Sequence, residues 1–425
     1  MEHSNDFLAE LRWRGMLQEM TEGLEARLTR GDIAAYVGFD PTADSLHAGH
    51  LIPVFGLLHL QRSGGLPVAV VGGGTGMIGD PSGRSEERNL LDADTLDANV
   101  AALRAQLARF LDFSPGPGGA RMIDNREWLG RYGLLEYLRE IGKHFSLGYM
   151  LAKDSVQLRM QAGISFTEFS YMTLQATDFL HLYRDHGVEM QMGGADQFGN
   201  ITAGLELIRR VEGLAPGGGP RAYGLSLPLL TTPSGKKFGK SEAGQTIFLA
   251  PHRTSPYAFY QYWLNCDDRD VGLYLRALTL LGRSEIEGLE TELAAHPERR
   301  PAQRALAFDL TARVHGEPEA RLQVSVAEAA FSGETIRDPE LLDVLYEHAG
   351  GFTFDTEETA FDLALASGAF AGRGALRRTI QQGGLTLDDT RLEDAEAPVP
   401  PPIAGRYHVL RVGRKRLLIG RRREA

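Results

Sequence analysis

The sequence predicts an α/β fold: a parallel sheet with helices on both faces. Three observations carry this. Short apolar runs alternate with helical patterns through roughly the first 245 residues. The polar clusters come directly after the apolar runs, where ligands sit on such sheets. Beyond about residue 245 the strand signals stop and a mostly helical pattern takes over through 255–345, so the sheet belongs to the first part of the chain.

The elements follow in order. Residues 33–39 (Ile-Ala-Ala-Tyr-Val-Gly-Phe) read as a buried strand, and Asp40-Pro41-Thr42 turns the chain. A helix from about 47 to 62 sets Leu51, Val54, Phe55 and Leu58 on one face. Residues 66–71 form a second buried strand before a Gly-rich turn. A helix near 93–112 leads to a short strand ending at Met122-Ile123-Asp124. Helices at about 127–141 and 167–183, a strand at 188–192 and a helix at 196–212 complete the alternation. The polar clusters at 40–50, 72–84, 124–125 and 193–200 each follow a strand. A Gly-Gly break at 350–351 sets off a terminal segment with helices at 361–371 and 373–382 and strand-like runs near 385, 408 and 417. Gly-Pro-rich pieces at 114–120, 215–220 and 398–404 read as loops.

At 425 residues the chain is long enough for two or three domains. Hydrophobic residues at 43% and charged residues at 24% are ordinary for a globular protein, and no apolar run approaches a membrane span. The start, Met1 to Phe7, carries acids and lacks an apolar core, so no export signal is expected. Cys266 is the single cysteine, which excludes an internal disulfide and a thiolate metal cage and fits a reducing cytoplasm. A net charge of −11 argues against indiscriminate nucleic-acid binding. The end of the chain departs from that average. Arg406, Arg411, Arg414, Lys415, Arg416, Arg421, Arg422 and Arg423 face a lone Glu424, either as a phosphate-contact surface or as a solvated tail.

Two patterns mislead. Gly74-Thr75-Gly76-Met77-Ile78-Gly79 matches the dinucleotide fingerprint, but Asp80-Pro81-Ser82-Gly83 continues the loop where a helix must begin. Gly239-Lys240-Ser241 imitates the end of a P-loop whose first glycine is replaced by Ser234.

Two clusters carry chemistry. His47 and His50 share one face at a helix opening, where free N–H groups and the helix dipole favour an anion. Gly49 between them lets a ligand come close to the backbone. Lys236, Lys237 and Lys240, with Ser241, lie in a turn-rich run whose glycines let lysines close over a phosphate. Alone, each is equally read as a surface feature: a histidine pair near a cap, a solvated charged loop. Together and in this order they resemble the two signatures of class I aminoacyl-tRNA synthetases, His-Ile-Gly-His and Lys-Met-Ser-Lys-Ser, written here His-Ala-Gly-His and Lys-Phe-Gly-Lys-Ser. Ala48 and Phe238 depart only at packing positions.

The resemblance covers nearly the whole chain. The run Tyr36 to His47, Gly79-Asp80-Pro81-Ser82-Gly83, the run Tyr171 to Asp178, and the run Gln191 to Gln197 look like the blocks of the bacterial tyrosine-specific enzymes. That resemblance implies a Rossmann-like parallel-sheet catalytic domain at 1–245, a helical anticodon-binding domain at 246–347 and a small α+β RNA-binding domain at 355–425. The last rests on Gly372 to Ile380 followed by Gly383-Gly384-Leu385-Thr386-Leu387. It also implies site roles. Tyr36 and Asp178 bind the substrate phenol hydroxyl; Asp80, Tyr171 and Gln175 bind the α-ammonium; Gln191 and Gln197 shape the pocket and the reacting carboxylate. Asp40 lies beside the amino-acid and adenylate site. Thr42 and His47 hold the γ-phosphate, and His50, Gly194 and Asp196 meet the ribose, with Gly49 and Lys240 also on ATP. Arg84, Arg88, Lys237 and Lys240 meet the leaving pyrophosphate. Relatives often have Lys at Arg84 and Cys at Val37; valine cannot hydrogen-bond there. The implied reaction uses ATP with Mg²⁺ on its phosphates, no dedicated protein metal site, tRNA(Tyr) and L-tyrosine, in a homodimer, in the cytoplasm, with neither membrane nor DNA as partner.

A tryptophan-specific enzyme of related fold is the alternative within the class, disfavoured by Tyr36 and Asp178. A noncatalytic RNA-binding relative is the alternative outside it, disfavoured because His47, His50, Lys237 and Lys240 are all present.

Overall fold

The computed structural model describes residues 6–80, 91–116, 118–213, 221–230, 238–240, 244–332, 335–355, 359–394, 396–413 and 416–423. The chain divides into two compact units. The first is Met1–Thr254 with Leu264–Leu306, and the second is Ser255–Trp263 with Ala307–Ala425.

The first unit holds a six-stranded sheet. In chain order its strands are β1 (Glu19–Met20), β2 (Ala34–Phe39), β3 (Leu66–Val71), β4 (Arg121–Asp124), β5 (Met190–Gly194) and β6 (Tyr223–Leu227). They lie in the order β1-β6-β5-β2-β3-β4, parallel except for the antiparallel pair β1–β6. The parallel sheet expected from the alternation is therefore present. β2 and β3 are buried nearly throughout, as strands covered on both faces must be.

Two strands were invisible to pattern reading. β6 is buried at all five positions, yet its sequence Tyr-Gly-Leu-Ser-Leu breaks the apolar run. Gly224 is required there, because a Cβ would come 2.5 Å from Ile201 Cγ2. The two-residue β1 is too short to carry a period. The helix expected at 127–141 is interrupted, running as Arg126–Leu129 and then Leu134–Glu140 after Gly130 and Gly133.

Helix Phe166–His186 is the long element of this unit. The Ser165 hydroxyl caps it by accepting from the Glu168 N–H at 3.1 Å, and Gly187 ends it in the left-handed conformation at φ 67°. Near its start Glu168 receives two bonds from Arg159, at 2.6 and 2.9 Å, with both side chains only 4% exposed. Removing one partner strands the other charge. Glu168→Ala is expected to cost about 3–5 kcal/mol, seen as a lowered urea midpoint at unchanged slope. A shift under 1 kcal/mol would show the pair to be replaceable by water.

The second unit carries a five-stranded sheet in the order β7-β11-β10-β8-β9, made of β7 (Gly351–Phe354), β8 (Leu385–Leu387), β9 (Thr390–Arg391), β10 (Tyr407–Val412) and β11 (Arg416–Arg422). Alternation divides its side chains between two cores. Leu410 and Leu418 join Phe361, Leu376 and Ile380 of helices Ala360–Ala366 and Arg373–Gln381, whereas Tyr407, Val409 and Ile419 join Val326, Leu342 and Leu345 of helices Glu317–Phe331 and Pro339–Leu345. The basic end of the chain is thus a paired hairpin. Several of its cations have internal partners. Arg411 donates to the Ala330 carbonyl and Arg416 to that of Ala369, and Arg421 lies 3.9 Å over the Tyr346 ring. No helix among the described residues is long and apolar enough to cross a membrane.

Candidate active site

The site residues gather beyond the carboxyl ends of β2, β3, β4 and β5, as parallel sheets dictate. Register does the first part of the work. Tyr36 pairs with Gln191 across β2 and β5, so both side chains leave the sheet on one face. Helix Phe166–His186 covers that face and offers Tyr171, Gln175 and Asp178 at intervals of four and three.

At the deep end, Asp178 is 4% exposed and accepts two hydrogen bonds, from Asn125 Nδ2 at 2.9 Å and Trp128 Nε1 at 2.7 Å. Burial pushes its carboxyl up to about 8 against the opposing effect of those two donors. Tyr36 is fully covered, and its hydroxyl has no hydrogen-bond partner among the described residues. Burial, helped by the charge of Asp178, holds that phenol well above its ordinary range. Gln191 Oε1 is likewise buried and has no partner among the described residues. Buried polar atoms without a partner of this kind, a phenol donor and an amide acceptor, are arranged for a polar group that arrives with a ligand.

Around the middle of the site the polar groups are tied together. Asp40 accepts from Thr75 Oγ1 and from the Tyr171 hydroxyl, each at 2.8 Å. Thr75 Oγ1 in turn accepts from Asn125 Nδ2 at 3.0 Å, and Asn125 Oδ1 accepts from the Gly74 N–H at 2.7 Å. Gly72 must be glycine, since a Cβ would stand 2.3 Å from Asp40 Oδ1. Asp80 accepts from Gln197 Nε2 at 2.6 Å, and Asn200 donates to Gln197 at 3.3 Å and to Gln175 at 2.9 Å. Having given its proton to Asp40, the Tyr171 oxygen is an acceptor for a cation, beside Asp80.

The first signature forms a 3-10 turn, Ala48–His50, leading into helix Leu51–Arg62. Both imidazoles are held by the backbone. His47 Nδ1 accepts from the Gly49 N–H at 3.1 Å, His50 Nδ1 accepts from the His47 N–H at 3.2 Å, and the rings stack 3.8 Å apart. An Nδ1 that accepts carries no proton, so each ring is fixed as the tautomer with its proton on Nε2. The two donors are pre-set.

The second signature comes to the first. Residues 247–249 run alongside 46–48, with the Ala48 N–H donating to the Ile247 carbonyl at 2.8 Å and the Leu249 N–H to that of Leu46 at 2.8 Å. Gly239, at φ 80°, sits against the Gly49 nitrogen and Ala48, where a side chain would come within 3.2 Å. Ala48 is fully buried and Phe238 meets the ring of Tyr274 at 5.2 Å, so both departures are packing positions. Lys240 and Thr42 are exposed. Gly194 and Asp196 lie where β5 passes through the turn Ala195–Gln197 into helix Phe198–Val211, and a Cβ at Gly194 would meet Asp196 Oδ1 at 2.7 Å. Arg84, Arg88 and Lys237 lie outside the described residues, as do Lys236 and Ser241. After β3 the fingerprint Gly74 to Gly79 makes only the 3-10 turn Thr75–Met77, not the helix a pyrophosphate needs.

Residues 28–332 match the family described as tRNA synthetases class I (W and Y). The chain belongs to the class I tRNA synthetases of this tryptophan and tyrosine group. It is 49% identical over 418 residues to a tyrosine–tRNA ligase of Anaeromyxobacter dehalogenans, covering 96% of this chain and 98% of that one. It is 45% identical over 422 residues to the tyrosine–tRNA ligase of Geobacillus stearothermophilus, covering 97% and 98%. A C-terminally truncated mitochondrial tyrosyl-tRNA synthetase of Aspergillus nidulans matches its fold with a TM-score of 0.68 at 29% identity, over 76% of this chain and 94% of that one.

In this class I synthetase three site residues were missed in the sequence: Asn125, Trp128 and Thr75. Asn125 joins Asp178, Thr75 and the Gly74 backbone. The polar pair 124–125 after a strand was the available signal. Trp128 gave none, because an indole in a helix reads as core until its N–H is seen aimed at a carboxylate.

Proposed function

We propose that this chain is a tyrosine–tRNA ligase: it joins L-tyrosine to ATP as tyrosyl-adenylate, releasing pyrophosphate, and then passes tyrosine to the 3′ end of tRNA(Tyr). The observation that carries the reading is the phenol end of the pocket. Tyr36 brings a buried hydroxyl without a partner among the described residues and Asp178 a buried carboxyl, one donor and one acceptor for a substrate O–H. An indole would meet the same two groups with a single N–H donor, which disfavours tryptophan.

The remaining roles follow the chemistry. Asp80, the Tyr171 oxygen and Gln175 take the α-ammonium; Gln191 and Gln197 orient the carboxylate for in-line attack on the α-phosphate. The reacting oxygen belongs to tyrosine, so no protein nucleophile is needed and catalysis is positioning plus charge stabilisation. Thr42, His47, Lys237, Lys240, Arg84 and Arg88 meet the phosphates; Gly49, His50, Gly194 and Asp196 hold the nucleoside. Magnesium arrives as part of the substrate, on the ATP phosphates. In the second step the terminal ribose hydroxyl of tRNA attacks the adenylate carbonyl and AMP leaves. Tyrosine-dependent ATP–pyrophosphate exchange tests the whole reading; tryptophan-dependent exchange, or none, refutes it.

We assign tRNA binding to the helical 246–347 and the small 355–425 segments, and a cytoplasmic location from the lone cysteine and the substrates. Arg373 and Arg377, which stack over Phe361, support an RNA-facing helix Arg373–Gln381. Ending the chain after residue 345 is expected to leave adenylate formation intact and reduce tRNA charging at least tenfold; equal charging would exclude the segment from tRNA binding. The cut uncovers Val326, Leu342 and Leu345, so the shortened protein will also be less soluble. A homodimer is supported by large apolar side chains left exposed on neighbouring segments of the first unit: Leu134, Leu135, Leu138, Leu147, Leu158 and Phe166. Sedimentation as a monomer at micromolar concentration would refute it.

A further inference from the structure

The Asp178 carboxylate is aimed by Trp128, and Trp128 is itself held from behind. Its indole stacks on the imidazole of His181, with ring centroids 4.4 Å apart and planes 24° from parallel. His181 lies one helical turn beyond Asp178, on the same helix Phe166–His186, and is partly open to solvent. Its Nδ1 lies 2.8 Å from Asp185 Oδ2, four residues on, which fixes the rotation of the ring. A continuous line of contacts therefore runs inward from the surface: Asp185, His181, Trp128, Asp178.

We propose that His181 is a positioning residue for the phenol end of the pocket, its ring holding Trp128 so that the indole N–H stays aimed at Asp178. The proposal rests on the tyrosine-ligase reading and extends it to a group that touches no substrate. Trp128 comes from the short helix Arg126–Leu129 and is buried in the hydrophobic core, and the stacked imidazole of His181 is the aromatic neighbour that lies along its ring plane. An indole free to tilt loses its 2.7 Å bond to Asp178 and leaves that buried carboxyl with one donor fewer. Burial lowers the ionisation of His181 below the usual imidazole range, with Asp185 opposing it, His186 and Arg131 acting in the same direction as burial and Glu127 against it. The ordinary state of the contact is therefore ring on ring.

The test combines exchange kinetics with fluorescence on the full chain. Trp128 is one of three tryptophans. An imidazolium in contact with an excited indole quenches it, so the unaltered protein should lose part of its emission as pH falls, with a midpoint below the usual imidazole range. His181→Ala and His181→Phe should both abolish that step. His181→Ala should raise the tyrosine KM about 3- to 10-fold and narrow the preference for tyrosine over phenylalanine, with kcat and the ATP KM within about twofold. His181→Phe keeps a ring against Trp128 and should restore the tyrosine KM. An unchanged tyrosine KM in His181→Ala, a parallel loss of kcat and ATP affinity, or a phenylalanine variant no better than alanine would each overturn the proposal. Absence of tyrosine-dependent exchange in the unaltered enzyme would overturn the ligase reading and this proposal together, whereas normal exchange with unchanged kinetics in His181→Ala overturns this proposal alone.

Discussion

Replacing His47 or Lys240 by alanine should slow adenylate formation by two to three decades while tyrosine affinity stays within a few-fold. Negative charge moves onto the bridging and β,γ oxygens only as pyrophosphate departs. Groups that meet it then stabilise the transition state and leave ground-state binding nearly untouched. His47 is prepared for this: its Nδ1 is occupied by the Gly49 N–H, so its proton stands on Nε2 before ATP arrives. No reorganisation is needed at the moment of reaction, and a preorganised donor of this kind contributes about 3–4 kcal/mol. Lys240 follows Gly239, whose backbone packs on Ala48 and Gly49, so the two signatures share one small region. Lys237→Ala should act in the same way. Pre-steady-state adenylate formation, with tyrosine binding measured separately, reads both quantities. His47→Ser separates catalysis from local folding. Serine can cap the turn but cannot reach a phosphate, so it should be as slow as alanine. Variants that lose tyrosine affinity and keep the chemical rate would mean that the signatures do not surround the phosphates.

Tyr36→Phe and Asp178→Asn should damage discrimination and, in different ways, change stability. Removing either group takes away part of what distinguishes tyrosine from phenylalanine. Tyrosyl enzymes are the measured example of such rejection, at about 10⁵-fold. Tyr36→Phe should narrow the preference by one to two decades, and Asp178→Asn should narrow it as well, because an amide NH2 takes the place of one carboxyl oxygen. Yet the Tyr36 hydroxyl has no partner among the described residues, and an unmet buried polar group costs about 1–3 kcal/mol. Tyr36→Phe should therefore be at least as stable as the unaltered protein. For Asp178 the sign comes from linkage. Its folded carboxyl titrates near 8, far above an unfolded aspartate at 3.8. Between these values the unfolded chain has released the proton and the folded one has not, so this group lowers stability progressively as pH rises, by about 1.4 kcal/mol per pH unit at most. Relative to the unaltered protein, Asp178→Asn should gain stability from about pH 4 to pH 8 and change little further above that. Urea unfolding at pH 5 and pH 8 measures the difference. A pH-independent difference would mean that Asp178 is ionised throughout.

What the sequence disclosed depends on the kind of interaction. β2 and β3 are continuous apolar runs and were legible, because burial on both faces leaves no other pattern. β6 was not, since Gly224 and Ser226 are set by the close passage of Ile201 and by neighbouring strands far away in the chain. The histidine and lysine signatures are local and legible only through their joint resemblance to a family, whereas the contact of Gly239 with Ala48 and Gly49 joins segments about 190 residues apart. Tyr36 and Asp178 were named through resemblance; nothing in their own neighbourhoods announces a pair. Asn125 and Trp128, which hold Asp178, escaped because aim is a property of tertiary structure. Charge alone suggests a tail or a phosphate surface for the basic end, but its pairing as β10 and β11 shows why charge misleads: several of its arginines serve the unit's own carbonyls and rings.

The first sheet ends in small strands on both sides. β1 has two residues and begins with an exposed Glu19; β4 has four and begins with an exposed Arg121. An open sheet with long, flat margins is a template on which another chain can add a strand, and it can nucleate fibrils. Here each margin presents only a few backbone groups, flanked by a charge, too little to hold an incoming strand. The wide parallel core that presents the site can thus be kept at high concentration without copies adding strands to its margins, and lengthening either margin with β-branched residues should be punished by aggregation before it changes activity.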